Sequence, residues 1–214
     1  PMKIDVLVAD ESHIRYTDEI CEEILISARE RGTGIARRTP EYLTEKINRF
    51  DERIEELASA ERYEEKVKHM SCLLGIKTHT ALSMIVEVGD FERFGKAPKF
   101  ASFLGLVPSE DSSDTRVNRY SITKAGNSHL RRLLVEAAQS YTRGNIGHKS
   151  VSLKQRQQGN PPEIIAYADK ANERLRRRFY KMTLNKGVNR NVATTAIARE
   201  LACFIWGMMT EHVR

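Results

Sequence analysis

The stretch Cys72–Phe94, CLLGIKTHTALSMIVEVGDFERF, decides how this chain reads. Leu73 and Leu74 close one apolar helical pattern, Gly75-Ile76-Lys77-Thr78 makes a tight turn, and a second helix opens near Thr78. A glycine at 75 lets the backbone turn sharply and approach a neighbour closely. Two readings stay open. In one, the segment is a helix-hairpin-helix whose free N–H groups at the new helix start, with Gly75, Lys77 and Thr78, hold a DNA phosphate. In the other, it is a packing corner between two helices. Either predicts a mainly α fold.

Upstream, Pro40 suits the first turn of a helix with Thr39 as its cap. Ile47, Phe50, Ile54 and Leu57 recur at 3-4-3 spacing, and the pattern resumes at Tyr63, Val67 and Met70. Glu and Arg occupy the other positions. This predicts a long coiled-coil-like helix, or a helical hairpin, over 41–70. Its apolar stripe is either a dimer seam, which makes the 42–70 helix the route to a homo-oligomer, or a face packed on its own domain. Before it, residues 3–9 (KIDVLVA) read as one strand and Asp10-Glu11-Ser12 as caps of a helix through about Arg31. The expected organisation is a β-α segment at 1–40, the coiled-coil-like helix at 41–70 and a helical domain at 71–214.

Downstream, Phe100–Leu106 (FASFLGL) predicts a short buried helix and 108–120 a polar loop. Ser121–Asn127 forms a turn, and Asn127 or Ser128 caps a helix whose buried face is Leu130, Leu133, Leu134 and Ala137. Arg131 and Arg132 lie beside that face. Gly159-Asn160-Pro161-Pro162 splits the next region, Ala171–Met182 reads as an arginine-rich helix, and 191–209 as an apolar core helix in which Trp206 packs.

Charge narrows the partner. The 214 residues carry a net +6, unevenly distributed. Residues 1–70 hold 12 Lys and Arg against 17 Asp and Glu, net −5, whereas 71–214 hold 23 against 12, net +11. A basic half of this kind expects a polyanion. No apolar run approaches the roughly 20 residues of a membrane helix, and the N-terminal stretch does not read as a signal peptide. No membrane partner is expected, and three scattered cysteines fit a reducing cytoplasm. The six histidines and the acids Asp111 and Asp114 make no metal cluster, so no metal site is expected in this chain. Ser112 and Ser113, ahead of Arg116, Arg119 and Lys124, supply a hydroxyl and the cations that phosphodiester attack requires.

The segments LLGIKTHTAL, EVGDFERF, ASFLGLVPSEDSS and SITKAGNSHLRRLLVEAA, in this order, resemble the C-terminal domain of the IS-one-ten family of insertion-sequence transposases, relatives of the Piv invertase. The likeness covers about residues 48–214. It implies a DNA recombinase in which the C-terminal domain supplies a serine nucleophile and a structured RNA guides site choice. An N-terminal RuvC-like domain supplies four acids that bind Mg²⁺. The family serine falls on Ser112, with Ser113 its neighbour. The DNA contacts implied are Gly75, Lys77, Thr78, Arg116, Arg119, Lys124, Asn127, Arg131 and Arg132. Where the family usually has glycine near the serines, this chain has Asp114 and Tyr120.

The first 40 residues do not resemble the RuvC-like domain. They look loosely like the start of a GNAT-type acetyltransferase, without its acetyl-CoA loop. Together the two likenesses imply a truncated transposase joined to a short foreign segment. No cofactor is expected on this chain alone, Mg²⁺ being implied for the full-length family. DNA and a guide RNA are the expected partners.

Overall fold

The computed structural model describes residues 40–113 and 116–212, the side chains of 40, 41, 110–113 and 116–120 excepted. The strand and helix expected over 3–31 lie outside them. By chain contacts the protein divides into one unit up to Arg49 and a second from Phe50 onward.

The expected long helix is two. α1 (Pro40–Ala58) and α2 (Glu61–Ser71) are separated at Ser59 and Ala60, and Ala60 has extended backbone (ψ 140°). The cause lies in the apolar spacing. Continuing the 3-4 alternation past Leu57 would set Glu61 and Glu64 on the seam. The break resets the phase, so that Val67 and Met70 are buried. On α1, Leu43, Ile47 and Phe50 remain exposed.

α3 (Thr78–Val88) follows the Gly75 turn and packs against α2. α4 (Ala97–Phe103) carries the fully buried Phe100. α5 (Ser128–Ala138) buries Leu130, Leu133, Leu134 and Ala137, the face expected from sequence. α6 (Val151–Gln157) precedes α7 (Pro162–Tyr180). The arginine-rich helix thus starts nine residues before the expected Ala171. Proline in its first turn fits the helix start, and Ile164, Tyr167, Ala168, Ala171, Leu175 and Phe179 bury one continuous stripe.

α8 (Arg190–Met209) is the hub, packing against α2, α4, α5 and α7. By length and composition it could cross a membrane. Here Ala193, Ile197, Ala198, Leu201, Ala202 and Ile205 are fully buried in the core, as expected of a helix apolar nearly all round. Its small residues let neighbouring helices approach. Trp206 packs in the core and donates its Nε1–H to Phe91 O at 3.0 Å.

The second correction is at 108–120. The expected polar loop is an antiparallel hairpin, β1 (Pro108–Ser113) and β2 (Arg116–Ile122). β1 holds Pro108, Glu110 and Asp111, all disfavoured in strands, so local composition does not select the hairpin. Its base does. Thr123 N–H donates to Val107 O at 2.9 Å, and the Ser109 hydroxyl donates to Ser121 O at 2.9 Å.

Candidate functional site

Sequence reasoning placed candidate residues in two groups, and α3 and α5 hold them apart. Gly75 lies against the C-terminal end of α5, where a Cβ at 75 would sit 2.3 Å from Ala137 O. At the other end, Glu87 near the end of α3 accepts from Asn127 Nδ2 at 2.7 Å and pairs with His129 Nδ1 in the first turn of α5. The two helices therefore run antiparallel. At about 1.5 Å per residue, the 11-residue α5 separates the groups by roughly 15 Å.

The Gly75 corner is fastened from a second side. Arg156 Nε donates to Ser71 O at 3.1 Å and Gln157 Nε2 to Cys72 O at 3.2 Å, satisfying carbonyls at the end of α2. Gln157 and Lys149 both reach Asp169, the latter at 2.7 Å. Gly75, with φ +85°, thus packs closely at this corner. Lys77 is exposed and stands at the N-cap of α3, which has no side-chain cap; Thr78 is half-buried beside it.

Burial pushes the Cys72 thiol up to about 11, with Arg156 opposing the shift. A raised thiol pKa stabilises the fold below the unfolded value and loses that contribution as pH rises through the folded one. Stability should therefore fall between pH 9 and 11, by at most about 1.4 kcal/mol per pH unit. Urea titrations across this window check it, and Cys72→Ala should flatten the slope.

The hairpin springs from the second group. Asn127 caps α5 by accepting Leu130 N–H at 2.9 Å, as expected from sequence. Asn127 N–H donates to Phe103 O at 3.1 Å, and a Cβ at Gly126 would lie 2.1 Å from the same carbonyl. Lys124 is exposed and holds a left-handed backbone, φ +55°. Such a conformation in a non-glycine residue persists only when its surroundings fix it. Lys124 N–H donates to Gly105 O at 3.2 Å, and Lys124 O accepts Arg131 Nη1 at 3.2 Å. The same Arg131 nitrogen reaches Leu104 O at 3.1 Å. Arg131 thus stitches segment 104–105 to the loop that leaves the hairpin. Arg132 is exposed and faces Glu136 at 4.0 Å.

Within the hairpin, register sets Ser112 opposite Val117, Ser113 opposite Arg116 and Glu110 opposite Arg119. Asp114 falls outside the described residues, as do the side chains of Ser112, Ser113, Arg116, Arg119 and Tyr120. Sequence reasoning missed the Glu87 clamp, because its partners Asn127 and His129 lie 40 and 42 residues away. It also passed over Arg93, whose guanidinium stacks on Phe94 and Phe103 at 4.7 and 5.1 Å from the ring centroids. Among the described residues no three His, Cys, Asp or Glu side chains gather to hold a metal. The described residues therefore do not fit the Mg²⁺ implied for the family.

These elements define a mainly α domain with one inserted two-stranded hairpin, held at the N-terminal end of α5. Residues 68–152 of it match the model described as Transposase IS116/IS110/IS902 family, and through this segment the chain belongs to that family of insertion-sequence transposases. The transposase y4qE of Sinorhizobium fredii is 38% identical over 143 residues, covering 66% of this chain and 36% of that relative. The transposase for insertion sequence element IS1111A of Coxiella burnetii is 28% identical over 202 residues, covering 89% of this chain and 48% of the relative. The transposase for IS1533 of Leptospira borgpetersenii is 31% identical over 137 residues, 63% of this chain and 39% of its own. The chain thus spans about a third to a half of the curated relatives it matches. Residues 41–214 alone could not supply 89% of the chain, so the Coxiella likeness enters the first 40 residues. The acetyltransferase likeness of that segment has no support among these relatives.

Proposed function

We propose that this chain is the C-terminal part of a DNA transposase, acting in transposition and site-specific recombination. It grips the DNA of its mobile element and carries Ser112 as the nucleophile of strand exchange. The observation that carries the reading is the family match over 68–152, whose span contains the serine hairpin. The net +11 of residues 71–214 supplies the electrostatics.

In the proposed step the Ser112 hydroxyl attacks a phosphodiester phosphorus. A Ser O–P bond forms, the P–O bond to one strand breaks, and the serine proton, relayed through solvent, ends on the departing oxygen, so that strand leaves as an alcohol. One ester replaces another, so no outside energy source is needed. Arg116, Arg119 and Lys124 offset charge on the phosphoryl oxygens, while Lys77, Thr78 and Arg132 hold backbone phosphates. The chain is inactive alone, because the acids of the family's other domain complete the reaction. A guide RNA shares the basic face. A second copy covers Leu43, Ile47 and Phe50 of α1, whose spacing is that of a coiled-coil seam.

Grip is tested by anisotropy with labelled element-end duplex across a salt series. Each lost phosphate contact should lower the log–log slope by about 0.9, so Lys77→Gln and Arg132→Gln should each remove about one such step without unfolding the chain. Salt-independent binding, or none, refutes the reading. Binding without any covalent adduct, even with the acidic domain supplied, favours a non-catalytic module that has kept only the grip.

A further inference from the structure

A second basic site lies away from the hairpin, between α7 and α8. The outer groove between these helices widens into a cleft of about 400 Å³, within the range of small-ligand sites. Arg174 and Arg178 enter it from α7, and Arg199, Glu200, Cys203 and Phe204 from α8. The spacings are helical: four residues part the two α7 arginines, and Glu200 and Phe204 are likewise four apart.

Glu200 organises the cleft. Its side chain is only 12% exposed. It accepts Arg174 Nε, and its second oxygen lies 3.0 Å from Arg178 Nη1. That second contact is an ion pair whose angles fall short of a hydrogen bond, which leaves the oxygen without a hydrogen-bond donor. The carboxylate thus fixes two guanidiniums while engaging one nitrogen of each. Arg199 is exposed and, among the described residues, has no hydrogen bond or ion pair. Three guanidiniums against one carboxylate leave the cleft at net +2, with several N–H donors unused in a planar, forked geometry suited to phosphate.

The cleft is also aromatic. Phe204 is half-buried and meets Tyr167 edge-on, ring centroids 5.4 Å apart. Burial raises the Cys203 thiol, so it stays neutral and adds no repelling charge. Phosphate donors beside an aromatic face are the two elements with which proteins hold a nucleotide whose base is unstacked. A duplex keeps its base faces covered and could offer this cleft only its phosphates. An acidic peptide would engage the arginines and leave Phe204 unused.

We propose that the α7–α8 cleft holds one nucleotide unit of a single-stranded nucleic acid, its phosphate on Arg199, Arg174 and Arg178 and its base on Phe204. This rests on the reading that the chain handles nucleic acid, and it adds a strand-specific site that the hairpin group does not provide.

The test uses the full chain with a labelled oligothymidine, an oligouridine of the same length and a duplex, each titrated across a salt series. For whichever single strand binds more tightly, Arg199→Gln should lower the log–log slope by about 0.7, the value of one single-strand phosphate contact. Phe204→Leu should weaken the same strand about tenfold at every salt concentration, with its slope and the duplex affinity unchanged. Thermal melts confirm that both proteins fold. The tighter strand names the source as DNA or RNA. If the parent chain binds nucleic acid and neither variant changes strand binding, the cleft assignment fails while the proposed function stands. Equal losses for strand and duplex also overturn it, by reducing the effect to general charge. A polyglutamate peptide whose binding is lost in Arg199→Gln and kept in Phe204→Leu would make the occupant an acidic peptide. If the parent chain binds no nucleic acid at all, both readings fall together.

Discussion

Ser112→Ala should abolish covalent capture of DNA, lowering the adduct by at least about a thousandfold, as expected when a nucleophile is deleted. The assay combines the chain with element-end DNA, Mg²⁺, guide RNA and the acidic domain of a family relative supplied separately, and the adduct is read by its slowed migration. Alanine removes the only atom that can form the new bond and leaves the backbone free to keep its hairpin register. Ser113→Ala should retain the adduct. The neighbouring serine is the control because the two differ in register, Ser112 opposite Val117 and Ser113 opposite Arg116. If the two results are exchanged, the nucleophile is Ser113. An adduct that survives both substitutions would remove the hairpin from the chemistry.

Gly126→Ala should destabilise the domain by about 3 kcal/mol or more, against a typical point-mutant cost nearer 1 kcal/mol. Two effects add. Gly126 has φ +139°, where an L side chain is strained. Its new Cβ would lie 2.1 Å from Phe103 O, 2.9 Å from Phe103 C and 3.1 Å from Gly105 N, all backbone atoms that no rotamer change can move aside. Relief requires the 123–127 loop to lift from segment 103–105. That would also break the Asn127 N–H bond to Phe103 O and disturb the α5 cap, itself worth about 1 kcal/mol. Urea unfolding of the full chain provides the number. A loss below about 1 kcal/mol would show that the loop yields freely, and the Arg131 stitch would then not be the anchor of the hairpin.

Legibility in the sequence varied with the range of the interactions. The buried face of α5 was readable because Leu130, Leu133, Leu134 and Ala137 recur at the period of one helix. The Asn127 cap was readable because a cap bonds three residues ahead. The family segments were readable as words in order, and residues 68–152 match them. The hairpin was not readable. The first strand is polar and poor in strand formers, and the bonds that seat the hairpin run from 103–109 to 121–127. Arg131 looked like a free cation beside a buried face. Only the approach of segment 104–105 turned it into an internal strut.

The amino-acid order alone determined that this is a mainly helical chain, where its core faces lie, and that its charge gathers after residue 70. Those properties depend on spacings of three and four residues and on composition, which local physics converts directly into helices and surfaces. The tertiary structure alone decided that 108–122 pairs into strands and that the two candidate groups stand at opposite ends of α5. It alone also set three arginines around Glu200. Each of these depends on backbone or side-chain atoms from distant segments meeting, and no periodicity within one segment encodes where its partner will be.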